Sequence, residues 1–216
     1  MPARLRPTAP IAEDAILVGD PGRALMLAQE LLEKPKMSNH ARGLWGYSGR
    51  TPAGAGLTIQ STGMGGPSAA LVLADLAELG VRRAVRVGTA TALGPRPQPG
   101  ELVLVTAAHS GLAPAATPAL PDPELTEALA GELGSGGHPG EAISFDTLHP
   151  PGGAPAAPGD VADMQTAALL RRARELGLRV AAVLIVVAGA AGQLGQDAEE
   201  RAAKAAGHAA TAVLSG

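Results

Sequence analysis

A chain of 216 residues with a net charge of −3 can bury a sizeable core, and it offers no basic field for nucleic acid. The absence of cysteine excludes disulfides, thiolate metal sites and cysteine nucleophiles. No apolar run reaches the ~20 residues that span a membrane, and the N-terminal MPARLRPTAP has basic residues without an apolar stretch behind them, so a soluble cytoplasmic protein is expected. One Trp, one Tyr and one Phe leave the core to small aliphatic side chains, which bury little apolar area each; subunit contacts are expected to add to stability.

Residues 1–14 show little periodicity and read as an arm or irregular lead-in. Residues 15–18, AILV, read as a short strand that breaks at Gly19, and Pro21 pre-sets φ for a helix over 22–33 with an apolar stripe at Ala24, Leu27, Ala28 and Leu31. Such a junction aims backbone N–H groups and the positive end of the helix dipole at one point, and Arg23 adds a planar fork for phosphate oxygens. A well-made β-to-α turn with a surface arginine is the plainer alternative.

The polar segment 37–43 precedes a strand from Trp45 to Arg50, which turns at Thr51-Pro52-Ala53-Gly54. Leu57 to Ser61 is the next strand and runs into the glycine-rich turn Thr62-Gly63-Met64-Gly65-Gly66-Pro67-Ser68. The following helix has its stripe at Ala69, Val72, Leu73, Leu76 and Leu79, and Gly80 closes it. Strand 84–87 then contains Arg86 within Ala84-Val85-Arg86-Val87-Gly88-Thr89-Ala90-Thr91. An arginine buried in such a strand requires an anionic partner, because an unpaired buried charge is strongly unfavourable. Arg23, Arg86 and the Thr89 hydroxyl are therefore expected to make a phosphate cage.

Glu101 to Thr106 reads as a strand. Residues 107–160 are poor in pattern, with a helix over 124–133 and a short strand over 142–147. A helix over 161–176 stops at Leu176-Gly177, Val180 to Val187 is an apolar run suited to burial on both faces, and Asp197 is expected to cap a final helix to about Leu214. This order predicts one α/β domain over residues 1–216, a three-layer α/β/α sandwich with a central mixed sheet.

Gly19-Asp20-Pro21-Gly22-Arg23, Arg42-Gly43, the run STGMGGPS from Ser61 to Ser68, and Arg86-Val87-Gly88-Thr89 occur in that order across residues 15–106. Together they resemble the nucleoside phosphorylase family, which includes the hexameric purine nucleoside phosphorylases and the uridine phosphorylases. STGMGGPS and RVGT are closer in wording to the uridine branch, and the second half of the chain is similar only loosely, as a shortened and divergent version.

The resemblance implies phosphate-dependent cleavage of the N-glycosidic bond of a purine or pyrimidine nucleoside. Inorganic phosphate would be the co-substrate, with no metal or organic cofactor, in a homo-oligomer that is a dimer or a trimer of dimers. The implied phosphate site is Gly19 through its backbone, Arg23, Arg86 and Thr89, joined by Arg42 from a neighbouring subunit; an ordinary exposed arginine is the alternative for Arg42. Arg86 and Gln165 stand in catalytic positions, Met64, Met164 and Gln165 at the sugar, and Thr91, Phe145 and Leu148 at the base.

Three departures weaken the sugar and base pockets. The family's Glu-Met-Glu motif corresponds to Asp163-Met164-Gln165-Thr166, and an amide grips a sugar hydroxyl less firmly than a carboxylate. The histidine that family members lend across the dimer has no counterpart, Arg4 lying nearest to its place. The residues that read uracil fall at Gly152, Gly153 and Ala154, and the catalytic aspartate of purine enzymes falls near Gly189. The alternative reading is thus a catalytically impaired relative that binds phosphate, a sugar phosphate or a nucleoside as a sensor or scaffold.

Overall fold

The computed structural model describes residues 4–113, 115–147 and 159–216. The elements run β1 (Asp14–Val18), α1 (Pro21–Leu31), β2 (Glu33–Asn39), β3 (Gly46–Arg50), β4 (Gly56–Ser61), α2 (Gly65–Glu78), β5 (Arg83–Ala92) and β6 (Leu102–Ser110). They continue with α3 (Pro123–Leu133), β7 (Gly137–Ser144), β8 (Val161–Asp163), α4 (Thr166–Leu176), β9 (Arg179–Gly189), β10 (Gly192–Gln193) and α5 (Gln196–Ser215). Among these residues no helix is long and apolar enough to cross a membrane.

The sheet is mixed, as expected, and follows the order β10-β9-β6-β7-β8-β5-β1-β4-β3-β2. It also closes on itself, because β9 pairs in parallel with β5 as well as antiparallel with β6. A ring of β5, β9, β6, β7 and β8 results, with the extension β1-β4-β3-β2 leaving from β5. The ten-residue strand β5 makes this possible: Asp14 to Leu17 of β1 pair along its first half, and Thr91 and Ala92 pair with Ala162 and Val161 of β8 at its far end.

Period-two alternation divides the core between two faces. Ala15, Leu17, Ala84, Ala182 and Leu184 face one side with α2 and α4. Ile16, Val18, Val85, Ala181, Val183 and Ile185 face the other with α1, α3 and α5. The helices thus cover both faces of the sheet, which is the expected three-layer arrangement.

Several local expectations are corrected. Residues 161–163 are strand, not the first turn of a helix; Val161 and Ala162 are locked between β5 and β7, and α4 begins only at Thr166. The cap of α5 is Gly195, with Asp197 inside the first turn. The polar run Glu33–Asn39, in which no strand was expected, forms edge strand β2 against β3. The lead-in is tied down: the backbone N–H groups of Arg4 and Leu5 donate to Asp75 Oδ2 on α2 at 2.6 and 2.8 Å, and Leu5 is buried.

Candidate phosphate-binding site

The site begins where β1 ends. Val18 leads through Gly19 into Asp20, whose carboxylate accepts the Arg23 N–H at 2.7 Å and caps α1, with Pro21 at the first helical positions. On the adjacent strand Arg86 rises from β5, opposite Leu17 and only 3% exposed, beside a glycine that leaves it room. A Cβ on Gly88 would come within 2.6 Å of Arg86 Nη2 and 2.7 Å of Leu184 Cδ2, so only glycine lets the guanidinium pass.

The anionic partner that Arg86 requires comes from within the chain. Arg86 Nη2 donates to Asp163 Oδ2 at 3.0 Å, Nη1 to Gln165 Oε1 at 2.7 Å, and Nε to Thr166 Oγ1 at 3.0 Å. The Thr166 hydroxyl in turn donates to Asp163 at 2.6 Å, the Ser144 hydroxyl donates to the other carboxylate oxygen, and the Gln165 and Thr166 N–H groups donate to Asp163 at 3.1 and 2.9 Å. Burial pushes the Arg86 proton affinity down and nearby Arg23 pushes it further down, while the Asp163 carboxylate holds it up. Three of the guanidinium's five N–H groups are taken by these bonds, which leaves two for the cavity it lines.

Gln165 is oriented as firmly. Its Oε1 accepts from Arg86 and shares the Thr62 hydroxyl proton with the Val18 carbonyl, and its Nε2 donates to the Gly63 carbonyl. The reversed amide would face a donor with a donor and a carbonyl with a carbonyl, so one orientation alone fits.

These groups line one cavity of about 370 Å³. Gly19, Arg23, Arg86, Thr89, Thr91, Met64, Met164 and Gln165 all border it, together with Asp20 and Asp163. Met64 is 80% exposed at the start of α2, so it is no part of the core. The lining combines two guanidinium groups, each paired with a carboxylate, with thioethers and small side chains, which suits an anion joined to a moderately apolar body where the anion can engage the remaining guanidinium N–H groups.

Residues 13–215 match the family model described as the phosphorylase superfamily. This chain belongs to that superfamily. The DeoD-type purine nucleoside phosphorylase of Clostridium perfringens is 40% identical over 101 residues, covering 46% of this chain and 43% of the relative. That of Streptococcus pyogenes is 33% identical over 150 residues, covering 64% of this chain and 63% of the relative. The chain therefore spans less than two thirds of the length of either relative. A crystal structure of purine nucleoside phosphorylase from Toxoplasma gondii with immucillin-H shares the fold, with a TM-score of 0.82 over 94% of this chain and 91% of that chain at 23% identity.

Within this member of the phosphorylase superfamily, two site residues singled out from the sequence, Arg42 and Phe145, stand apart from the cavity. Arg42 is exposed in a short 3₁₀ turn, Ala41–Gly43, and adopts a left-handed φ of 59°. Phe145 packs its ring on Gly111, where a Cβ would meet Cδ1 at 2.1 Å, and Leu148 lies outside the described residues. Gly189, at the end of β9, brings no side chain to the site. Arg4 is engaged by Asp75, its guanidinium 3.6 Å from the carboxylate.

The sequence placed Asp163 and Thr166 in the sugar motif but not as partners of Arg86, and it assigned no role to Ser144 or to Glu199, the latter of which pairs with Arg23 from the first turn of α5. A signal existed for Asp163: an acidic residue just before a helix, in a chain with one arginine in a buried strand. Nothing local marks Glu199, which lies 176 residues from Arg23.

Proposed function

We propose that this protein cleaves the N-glycosidic bond of a purine nucleoside by phosphorolysis. The observation that carries the reading is the convergence of Arg23 and a rigidly held Arg86 on one cavity that also contains Thr89 and the methionines. Phosphate would be held by the Gly19 backbone, Arg23, Arg86 and Thr89, with Arg42 supplied by a second subunit of a dimer or trimer of dimers. Met64, Met164 and Gln165 would border the sugar, and Thr91 the base. The purine class is supported by the names of the similar enzymes.

In this reaction a phosphate oxygen attacks the anomeric carbon, a C–O bond forms and the C–N bond breaks, and the base leaves with the electron pair and takes a proton. Arginines that fix phosphate before attack lower the entropic part of the barrier, and the phosphate charge stabilises the oxocarbenium-like centre. Inorganic phosphate is the only co-substrate this scheme needs.

A second reading rests on a specific observation. Gln165 and Asp163 spend their acceptors on Arg86, Thr62, Ser144 and the α4 backbone, so neither offers a sugar hydroxyl a free carboxylate. That arrangement suits a catalytically impaired protein that binds phosphate, a sugar phosphate or a nucleoside as a sensor or scaffold. Release of free base from a panel of purine and pyrimidine nucleosides, with and without phosphate, separates the two. Phosphate-dependent release establishes the phosphorylase and its base class; silence across the panel, with phosphate still bound, establishes the second reading.

A further inference from the structure

Each arginine of the cavity already has a carboxylate, and the two carboxylates differ in how they are held. Asp163 is fully buried and receives bonds from Arg86, Ser144, Thr166 and the backbone, so it cannot leave. Glu199 receives Arg23 Nη2 alone among the bonds found to its side chain in the described residues, and its side chain is 32% exposed. Arg23 stands between the two environments, bordering the main cavity on one side and a cleft with Gln196, Glu199 and Glu200 on the other.

We propose that Glu199 is a residue of the phosphate site, a resident anion on Arg23 that phosphate must displace. The proposal rests on the reading of this cavity as a phosphate site. Exchange is inexpensive for Glu199, because it returns to water in the first turn of α5, where the helix dipole favours a negative charge. Arg23 loses nothing, since one charge-assisted bond replaces another. The incoming anion gains only what it adds beyond a carboxylate. A phosphate dianion that bridges Arg23 and Arg86 gains a second guanidinium, whereas a simple carboxylate at Arg23 gains nothing. Glu199 thereby sets a threshold that passes phosphate and rejects weaker monoanions.

The test is the affinity of inorganic phosphate, by isothermal titration at one pH and ionic strength, for the full-length protein and its Glu199→Gln, Glu199→Ala and Glu200→Gln variants. Removing a partly exposed competitor should tighten phosphate binding about two- to fivefold in both Glu199 variants. Damage to the fold cannot produce such a gain, and either variant decides the matter if the other fails to fold. Glu200→Gln removes the same charge one residue away from a pair with Lys204 at 3.1 Å, and should bind as the parent does. Unchanged or weaker binding in the Glu199 variants overturns the proposal, as does an equal gain in Glu200→Gln, which would mark a general field effect. If the parent and both Glu199 variants all fail to bind phosphate, the phosphate site itself is wrong; if the parent binds, only the role of Glu199 is in question.

Discussion

Arg86 Nη2 donates to Asp163 Oδ2 at 3.0 Å, and both side chains are withdrawn from water. A pair of this kind contributes less through attraction than through what its breakage exposes, because removing one partner strands the other charge in a low dielectric. Asp163→Asn should therefore cost about 3–5 kcal/mol of stability, while the double replacement Arg86→Met with Asp163→Leu should cost less than the single change. Denaturant titration of the three proteins checks this. Phosphate binding should be lost in the double variant, which has no guanidinium at that corner.

The space over Gly88 is filled by Arg86 Nη2 and Leu184 Cδ2, at 2.6 and 2.7 Å from the position of an added Cβ. Gly88→Ala should push the guanidinium out of register with Asp163 and Gln165. Overpacking of this size typically costs about 1–3 kcal/mol, and phosphate affinity should fall by about tenfold or more if the displaced fork loses even one charge-assisted bond. Thermal melts with and without phosphate measure both effects.

Gln165 Nε2 donates to the Gly63 carbonyl while Oε1 accepts from Arg86 at 2.7 Å. Gln165→Glu would set a carboxylate oxygen against that carbonyl and leave Gly63 without its donor. The expected loss is about 1–3 kcal/mol, read as a lower melting midpoint. A carboxylate arm that swings away from Gly63 faces the cavity, so faster phosphorolysis is the expected companion of lower stability. An unchanged midpoint would mean that Gly63 has found another donor.

Asp122 caps α3 through the Leu125 N–H at 2.9 Å and meets Arg179 at 3.1 Å. Burial raises its pKa, but the Arg179 guanidinium and the backbone N–H groups outweigh burial and hold it below the ordinary carboxylate value. A depressed folded-state pKa stabilises the protein above the unfolded value of ~3.9, and that contribution is lost as pH falls through the lower folded value. Asp122→Ala should cost about 1 kcal/mol at pH 7, mostly as a lost cap because Arg179 is 42% exposed. The gap between parent and variant should narrow at pH 3.

Strands β1 and β9 were legible because their apolar runs end at glycine, β4 because Leu57 and Ile59 alternate with Thr58 and Gln60, and the helix stripes of α1 and α2 because their apolar residues repeat at a period of 3.6. Strand β2, EKPKMSN, carries no such pattern, since an edge strand that faces water on much of its surface needs none. Strand β8 has three residues, and its state is decided by two neighbours that pair with it from distant parts of the chain.

The site divides along the same line. Sequence by itself determined the glycine turn at Gly19, the capped start of α1 with Arg23, and the presence in β5 of one buried arginine that demands an anion, because these are properties of neighbours along the chain. The identity of the anion was a tertiary matter. Asp163 lies 77 residues from Arg86 and Glu199 lies 176 residues from Arg23, and only the closure of β8 onto β5 and the packing of α5 beside α1 bring each carboxylate to its guanidinium. A charge fixes locally what kind of partner it needs, whereas the fold decides which partner arrives, since the attraction is short-ranged and indifferent to separation along the chain.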